Sequence, residues 1–171
     1  MTQIFFETER LIARSLDMTD LKDIVAYRSD PEVAKYQDWK NFTLENGRNL
    51  ITDNLKHRLG DPCWYQIGIE RKDDGVLIGD CGLRIFANDH HRAQIGYTFG
   101  KDHWGQGYAT EAVGALIDYA FHRLGVQQIM ASAHPENLAS QNVLRKSKFL
   151  MKNETFEGLW PGDVVYALRI N

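Results

Sequence analysis

The sequence predicts a single mixed α/β domain in which a central twisted, mixed sheet of about seven strands is flanked by helices. Three observations predict it: the order of the elements, the length and the composition. The elements run β-α-α-β-β-β-α-β-α-β-β, and such a mixed succession favours one sheet with helices on both faces. At 171 residues, with 43% hydrophobic and 25% charged residues, the whole chain 1–171 is expected to form one globular domain.

The N-terminal part of the chain combines short strands with capped helices. Thr43 precedes a run whose apolar residues recur at helical spacing, and Gly60 ends that run. The segment 73–75 (Asp-Asp-Gly) is typical of a hairpin turn between two β-rich runs. The elements predicted in this part are a strand at 10–14, then two or three helices, at 20–28, from 44 and, where Pro31 suits a helix start, from 31, and strands at 64–70, 76–86 and 92–99.

The C-terminal part begins with a long amphipathic helix. Its apolar residues recur at helical spacing from Ala109 to Leu124, and Gly125 ends it. Asn137 precedes a second helical run, where asparagine is a preferred N-cap. The elements predicted after the long helix are a strand at 128–133, a helix at 138–146, and strands at 149–156 and 164–170.

Charge and cysteine content disfavour several classes of function. Twenty Lys+Arg against twenty-three Asp+Glu give a net charge of −3, so no general attraction to nucleic acid or anionic membranes is expected. No run approaches the ~18 apolar residues of a membrane helix and no signal peptide is recognisable, which makes the cytoplasm the expected location. Cys63 and Cys81 lack metal-ligand spacing, so two buried, inert thiols and no metal are expected.

The strongest chemical signal is a glycine turn at 103–111, between a strand and the long helix. Glycines let a phosphate approach the backbone, and a helix N-terminus supplies unpaired N–H groups. A nucleoside-triphosphate P-loop is excluded, because Tyr108-Ala109 stand where Lys-Ser/Thr is needed. A dinucleotide fingerprint is also excluded, because Thr110 replaces its third glycine and the required acidic residue is missing. A tight turn with positive φ is the alternative that this motif alone leaves open.

Six motifs follow one another along the chain in a recognisable order. They are Thr8-Glu9-Arg10-Leu11, Ile78-Gly79, Ile95-Gly96-Tyr97, Gly107 to Ala112, Pro135 to Ser140, and Trp160 with Asp163 and Tyr166. Together they resemble the GNAT superfamily of N-acetyltransferases, and within it the Rim-type (RimJ/RimL-like) branch, named for acetyltransferases of ribosomal-protein N-termini. The resemblance implies a GNAT-type domain with splayed fourth and fifth strands and binding of acetyl-coenzyme A (acetyl-CoA).

The resemblance also implies which residues bind acetyl-CoA. The fourth strand pairs its backbone with the pantetheine and the glycine turn holds the pyrophosphate, although Trp104 replaces the usual first Gln or Arg of that loop. Ser140 matches a hydroxyl that protonates the departing thiolate. The structural alternatives are a bulge glycine at Gly96, an N-cap at Asn137 and a packing serine at Ser140. The expected cofactor-binding residues are Ile95, Gly96, Tyr97, Thr98, Phe99, Trp104, Gly105, Gln106, Gly107, Tyr108, Ala109, Thr110, Asn137 and Ser140.

The general base is not identified by the sequence. Gln94 stands where the family commonly has a glutamate, and an amide cannot accept the proton. Asp80, His91 and His134 are alternatives, of which His134 is favoured because it adjoins the motif at 135–137. The expected catalytic residues are therefore Ser140, Asn137 and His134. A further departure from the family is Lys148, which replaces a glycine and bears on a helix C-cap.

Two function hypotheses follow from the resemblance. The first is a metal-independent N-acetyltransferase that moves the acetyl group of acetyl-CoA to a primary amine by direct attack in a ternary complex. The acceptor favoured is a protein or peptide N-terminal α-amine, because a site without its usual carboxylate suits an amine that loses its proton readily. A small-molecule amine or a polyamine stays open as an alternative. The second hypothesis is a non-catalytic acyl-CoA-binding or sensing protein on the same fold; relatives are often dimers, so a homodimer is also an expectation.

Overall fold

The computed structural model describes residues 2–170, whose strands form one open, eight-stranded sheet. The strand order is β1-β2-β3-β4-β5-β6-β8-β7, and every neighbouring pair is antiparallel except β5 with β6. The strands are β1 (Ile4–Glu7), β2 (Leu11–Ser15), β3 (Tyr65–Arg71), β4 (Leu77–Phe86), β5 (Asp89–Phe99), β6 (Gln128–Ala133), β7 (Leu150–Lys152) and β8 (Val164–Arg169). The helices are α1 (Leu21–Arg28), α2 (Pro31–Ala34), α3 (Leu44–Asn54), α4 (Tyr108–Arg123) and α5 (Leu138–Lys146). The predicted fold class is confirmed.

Four elements differ from the sequence-based expectation by more than one residue, and one of them is β5, which begins at Asp89 rather than at Arg92. The four-residue strand β1 was not predicted; tertiary contacts support it, since Phe5 and Phe6 pack against Tyr119 of α4. Helix α3 ends at Asn54 rather than near Gly60, and the strand expected at 149–156 is reduced to the three residues of β7.

Helices cover both faces of the sheet. On one face, the α4 face, residues such as Ile95 and Ile129 pack with Leu116 and Leu144 of α4 and α5 in the main core. On the opposite α1 face, Ile24 of α1 and Ile51 of α3 pack in a smaller cluster with Leu16 and Leu77. Among the described residues, no helix combines the length and apolar character needed to cross a membrane.

The sheet opens between β5 and β6. Their parallel ladder contains only Arg92–Gln94 paired with Gln128–Met130. Beyond Gln94, the segment Ile95–Phe99 remains paired with β4 but has no ladder to β6. Because β1 was not predicted, β5 and β6 are the fourth and fifth strands of the sequence-based expectation, and the expected splay between them is present. It leaves backbone polar groups of β5 free to pair with a ligand.

Helix α5 ends in a strained but well-bonded cap. Lys148 has φ +66, in the left-handed region that favours glycine. The N–H of Lys148 donates to the carbonyl of Arg145, and the N–H of Phe149 donates to that of Leu144. These two bonds form a Schellman motif, so the expected link between Lys148 and a helix C-cap is confirmed.

Candidate active site

The glycine turn prepares the N-terminus of α4 for an anion. Gly105 and Gly107 have φ values of +73 and +83, which L-residues adopt only with strain. No side chain caps α4, whose first bond runs from the N–H of Glu111 to the carbonyl of Gly107. The N–H groups of residues 108–110 therefore have no acceptor among the described residues, and with the helix dipole they suit a phosphate.

A carboxylate clamp ties the start of β2 to this turn. Glu111 accepts hydrogen bonds from Thr8 Oγ1 (2.6 Å), the Arg10 backbone N–H (3.0 Å) and Arg10 Nε (2.7 Å). Partial burial opposes ionisation of Glu111, but these hydrogen bonds outweigh it and lower its pKa. Arg10 also donates to the carbonyl of Gln106 and lies over the Tyr108 ring. The structure thus explains why the motif at 8–11 accompanies the motif at 107–112, a link that the sequence did not reveal.

Two more side chains shape the turn from within. The indole nitrogen of Trp104 donates to the carbonyl of Phe99 at 2.8 Å, which joins the end of β5 to the turn. The side chain of Gln106 donates to the carbonyl of Asp102 at 3.0 Å. Gln106 is therefore engaged in the turn itself, whereas the half-exposed ring of Trp104 contributes to the wall of the adjacent cavity.

One cavity, the glycine-turn cavity, has a volume of about 580 Å³ and lies between β5, the glycine turn and α5. Lys35 and Lys146 add positive charge to its wall. Ile95 and Gly96 line the second cavity instead, and Gln106 lines neither. The expected cofactor residues that line it are Tyr97, Thr98, Phe99, Trp104, Gly105, Gly107, Tyr108, Ala109, Thr110, Asn137 and Ser140.

The second cavity, the tryptophan cavity, has a volume of about 700 Å³ and lies on the α1 face; Trp39, Trp64 and Trp160 are in its wall. The ring of Trp64 crosses two adjacent strands at their glycines: a Cβ on Gly82 would lie 3.1 Å from the ring, and a Cβ on Gly96 would lie 3.9 Å from it. The two cavities meet at the opening between β5 and β6. The residues at this junction that line both are Lys35, Tyr36, Gln37, Tyr97, Thr98, Asn137 and Ser140.

A hydroxyl pair occupies the junction. The Tyr97 hydroxyl oxygen lies 2.9 Å from Ser140 Oγ and 2.9 Å from the carbonyl oxygen of Ser140. Burial raises the pKa of the Tyr97 phenol well above its ordinary value, so the phenol stays neutral and acts as a donor. When Tyr97 donates to the carbonyl, the Ser140 hydroxyl proton remains available to a ligand.

Asn137 caps α5, as the sequence predicted. Its side-chain oxygen accepts from the Ser140 N–H at 3.1 Å, and its amide nitrogen has no described acceptor. Buried Gln141 holds the preceding turn by donating to the carbonyl of Pro135 and accepting from the Tyr166 hydroxyl. This support by Gln141 was not predicted, because it joins residues that are distant in sequence.

Each residue considered as the general base has a definite environment. Asp80 is buried and paired with Arg28 at 2.6 Å and with the Tyr27 hydroxyl. His91 is exposed and lines neither cavity. His134 lines the tryptophan cavity and stacks on Tyr36, with centroids 5.0 Å apart. Its Nδ1 accepts from the Glu136 N–H at 3.1 Å, so a neutral ring carries its proton on Nε2. In this tautomer, neither ring nitrogen is free to take a proton from a ligand.

Gln94 is buried at the last rung of the β5–β6 ladder and lines the tryptophan cavity. Its side-chain oxygen accepts from Arg84 Nε at 2.9 Å. Arg84 also donates to the carbonyl of Glu157, which ties the loop before β8 to the sheet. Where the family commonly has a glutamate, this chain therefore has a neutral amide held by a cation.

The two cysteines have different surroundings. Cys81 is buried, and burial raises the pKa of its thiol far above the ordinary value. Cys63 is only half-buried, contrary to the expectation, because it lies in the loop before β3. Its sulfur lies near the side chains of His57 and Asp61, and the atoms of the three residues that could bind a metal ion lie within 4.8 Å of one another. This surface group is separate from both cavities.

Comparisons with known proteins agree with this architecture. A model of the acetyltransferase (GNAT) domain matches residues 10–150. An uncharacterized N-acetyltransferase, p20 of Bacillus licheniformis, is 38% identical over 144 residues, covering 83% of this chain and 80% of that protein. A GNAT-family acetyltransferase from Bacillus anthracis has a TM-score of 0.83 at 25% identity, covering 95% of this chain and 96% of that one. RimL, a ribosomal alpha-N-protein acetyltransferase solved in complex with coenzyme A, shares the fold with a TM-score of 0.81 at 22% identity, covering 98% of each chain.

Proposed function

This chain belongs to the GNAT acetyltransferase family, and from that premise we propose that it transfers the acetyl group of acetyl-CoA to a primary amine, with a peptide or protein α-amine preferred. The observation that carries the proposal is the meeting of two cavities at Tyr97, Thr98, Asn137 and Ser140. The thioester enters from the glycine-turn cavity and the amine enters from the tryptophan cavity. A direct transfer requires both to reach one point.

The glycine-turn cavity fits coenzyme A. The uncapped N–H groups at 108–110 suit the pyrophosphate, and Gly105 and Gly107 keep side chains out of its path. The unpaired edge of β5 at 95–99 supplies donors and acceptors for the pantetheine amides. RimL, solved with coenzyme A, has the same fold. These features support the assignment of acetyl-CoA to this cavity.

The junction residues have separate roles in this proposal. Ser140 protonates the departing thiolate, and the neutral Tyr97 phenol orients it through the contact at 2.9 Å. Asn137 caps α5 with its oxygen and offers its free amide nitrogen to acetyl-CoA. The carbonyl of His134 accepts from the Asn137 N–H, and its ring stacks on Tyr36. The hydrogen bond from the Glu136 N–H to Nδ1 of His134 favours an orienting role over that of a base.

The preference for an α-amine rests on the neutral Gln94. An α-amino group has a pKa of about 7.7–8.0, whereas lysine and polyamine amines lie near 10.4. At pH 7.4 roughly a quarter of the first is neutral against about a thousandth of the second, a difference of about 3 kcal/mol. A site that lacks a strong base cannot make up this difference, so it favours the more acidic amine.

The experiment compares kcat/KM at pH 7.4 for three acceptors: a Ser- or Ala-starting peptide, an N-blocked lysine peptide and spermidine. The peptide α-amine should react fastest. Faster acetylation of spermidine or of the lysine peptide would contradict the preference. For unknown acceptors, labelled acetyl-CoA in a cell extract followed by mass spectrometry identifies the products.

Gln94 also favours a second candidate, a non-catalytic acyl-CoA sensor on the same fold. The two functions differ in one measurement, the release of free thiol from acetyl-CoA in the presence of pooled amines and peptides. Release that depends on the amine supports the enzyme, and tight coenzyme A binding without release supports the sensor. Location in the cytoplasm and assembly into a homodimer stay predictions.

A further inference from the structure

Three aspartates line the tryptophan cavity, and their surroundings differ. Asp80 is buried and its oxygens are taken by Arg28 and Tyr27. Asp38 is exposed to solvent. Asp163 is half-buried, forms no ion pair among the described residues, and keeps Oδ1 without a described donor. Of the three, Asp163 is therefore the one that is both shielded from solvent and not paired with a cation.

Asp163 is held in place by contacts on both sides. Its backbone N–H donates to the carbonyl of Trp160 at 3.1 Å, which closes the turn before β8. Its Oδ2 accepts from the hydroxyl of Ser132 at 3.1 Å. Ser132 lies on β6 two residues after Met130, the last residue of the β5–β6 ladder. This contact holds the carboxylate against β6, in the wall of the tryptophan cavity and beyond the end of the β5–β6 ladder.

The other charged groups around the cavity are less suited than Asp163 to accept a proton. Arg28 is paired with Asp80, and Lys40 donates to the carbonyls of Ala34 and Lys35. The titratable side chains that line the cavity besides Asp163 are Arg28, Lys35, Tyr36, Asp38, Lys40, Asp80, Tyr97 and His134. Asp163 has a free carboxylate oxygen and lines the same cavity as the neutral Gln94, so it is the group best suited to receive a proton here.

We propose that Asp163 accepts the proton that the acceptor nitrogen loses during acetyl transfer, and that Ser132 orients its carboxylate for this step. The inference rests on the proposed function. The neutral amine forms the new C–N bond, its nitrogen becomes strongly acidic, and its proton passes to Asp163 Oδ1. The C–S bond breaks and the thiolate takes the proton of Ser140. Solvent then removes the proton from Asp163 and returns one to Ser140, so the products are the amide and the free thiol.

This assignment is consistent with the α-amine preference. In general a carboxylate is a much weaker base than an amine, so it does not deprotonate an ammonium ion before attack. It does accept a proton once the C–N bond has formed and the nitrogen has become acidic. The amine must therefore arrive neutral, as an α-amine does more readily than a lysine.

The test uses Asp163→Asn, which removes the proton acceptor but retains an oxygen for the Ser132 hydroxyl. With acetyl-CoA and the fastest of the three amines above, kcat should fall by about 100-fold or more. The coenzyme A Kd and the Tm should stay at their unaltered values. Ser132→Ala is the matched control: it removes the hydrogen bond but leaves the carboxylate, and should lower kcat by about tenfold or less.

A second variant separates chemistry from structure. Asp163→Ala removes the carboxylate and leaves space that a formate ion can fill. Added formate should raise the kcat of Asp163→Ala at least tenfold and should leave the kcat of Ser132→Ala unchanged. Activity of Asp163→Asn within about threefold of the parent, or loss of activity in Asp163→Ala that formate does not restore, would overturn the inference. Absence of turnover by the unaltered protein with every amine would overturn the proposed function itself and this inference with it.

Discussion

Replacing Ser140 by alanine removes the hydroxyl that we assign as the general acid, with little effect on the rest of the site. The cap of α5 survives, because Asn137 accepts from the Ser140 backbone N–H and not from its side chain. The Tyr97 hydroxyl loses one neighbour but keeps the Ser140 carbonyl at 2.9 Å.

The expected effects of Ser140→Ala on stability and on the reaction rate differ enough to be measured separately. A lost hydrogen bond costs about 1 kcal/mol of folding free energy, and alanine recovers part of it through its helix propensity. The net change in unfolding free energy should thus be within about 0.5–1 kcal/mol. Loss of a general acid, in contrast, lowers the rate by about 10²- to 10⁴-fold.

The assay follows thiol release and gives kcat and KM separately, with calorimetry for coenzyme A affinity and a thermal scan for stability. Ser140→Ala should lose about 100-fold or more in kcat with nearly unchanged coenzyme A affinity. Tyr97→Phe is the matched control, since it leaves the Ser140 hydroxyl in place and should lose less. An unchanged kcat in Ser140→Ala would refute the assignment and leave Ser140 as a packing residue of α5.

Three further substitutions test individual features. Gly107→Val places a side chain on a residue with φ +83, a conformation that costs an L-residue about 1–2 kcal/mol of stability, and blocks the phosphate path. The affinity for coenzyme A should therefore fall tenfold or more. Normal affinity in a folded variant would contradict the assignment of the pyrophosphate to this turn. Gly114→Ala, whose Cβ meets open space, is the matched control. Asn137→Ala should lower the unfolding free energy by about 1 kcal/mol and weaken coenzyme A binding, and a loss of stability alone would leave Asn137 as a cap only. Lys148→Gly should raise stability by about 0.5–1 kcal/mol and Tm by about 2 °C, because glycine relieves the left-handed strain at φ +66; an unchanged or lower Tm would show that the strain is negligible.

Local patterns predicted much of the fold and of the glycine turn. The helical spacing from Ala109 to Leu124, the positive φ of Gly107 and the N-cap at Asn137 all depend on residues within a few positions of one another. Strand β1 escaped prediction because four residues carry little periodic signal and Phe5 and Phe6 pack on α4 far along the chain.

By itself the sequence determined the family, the glycine turn and the absence of the usual strand carboxylate at Gln94. Only the tertiary structure decided that Asp80 is neutralised by Arg28, that the Tyr97 hydroxyl contacts Ser140, and that Asp163 reaches Ser132 with one oxygen free. The physical reason is distance along the chain. Caps and turns depend on neighbours in sequence, whereas the protonation and orientation of a catalytic group depend on charges and donors that the folded sheet brings together from remote strands.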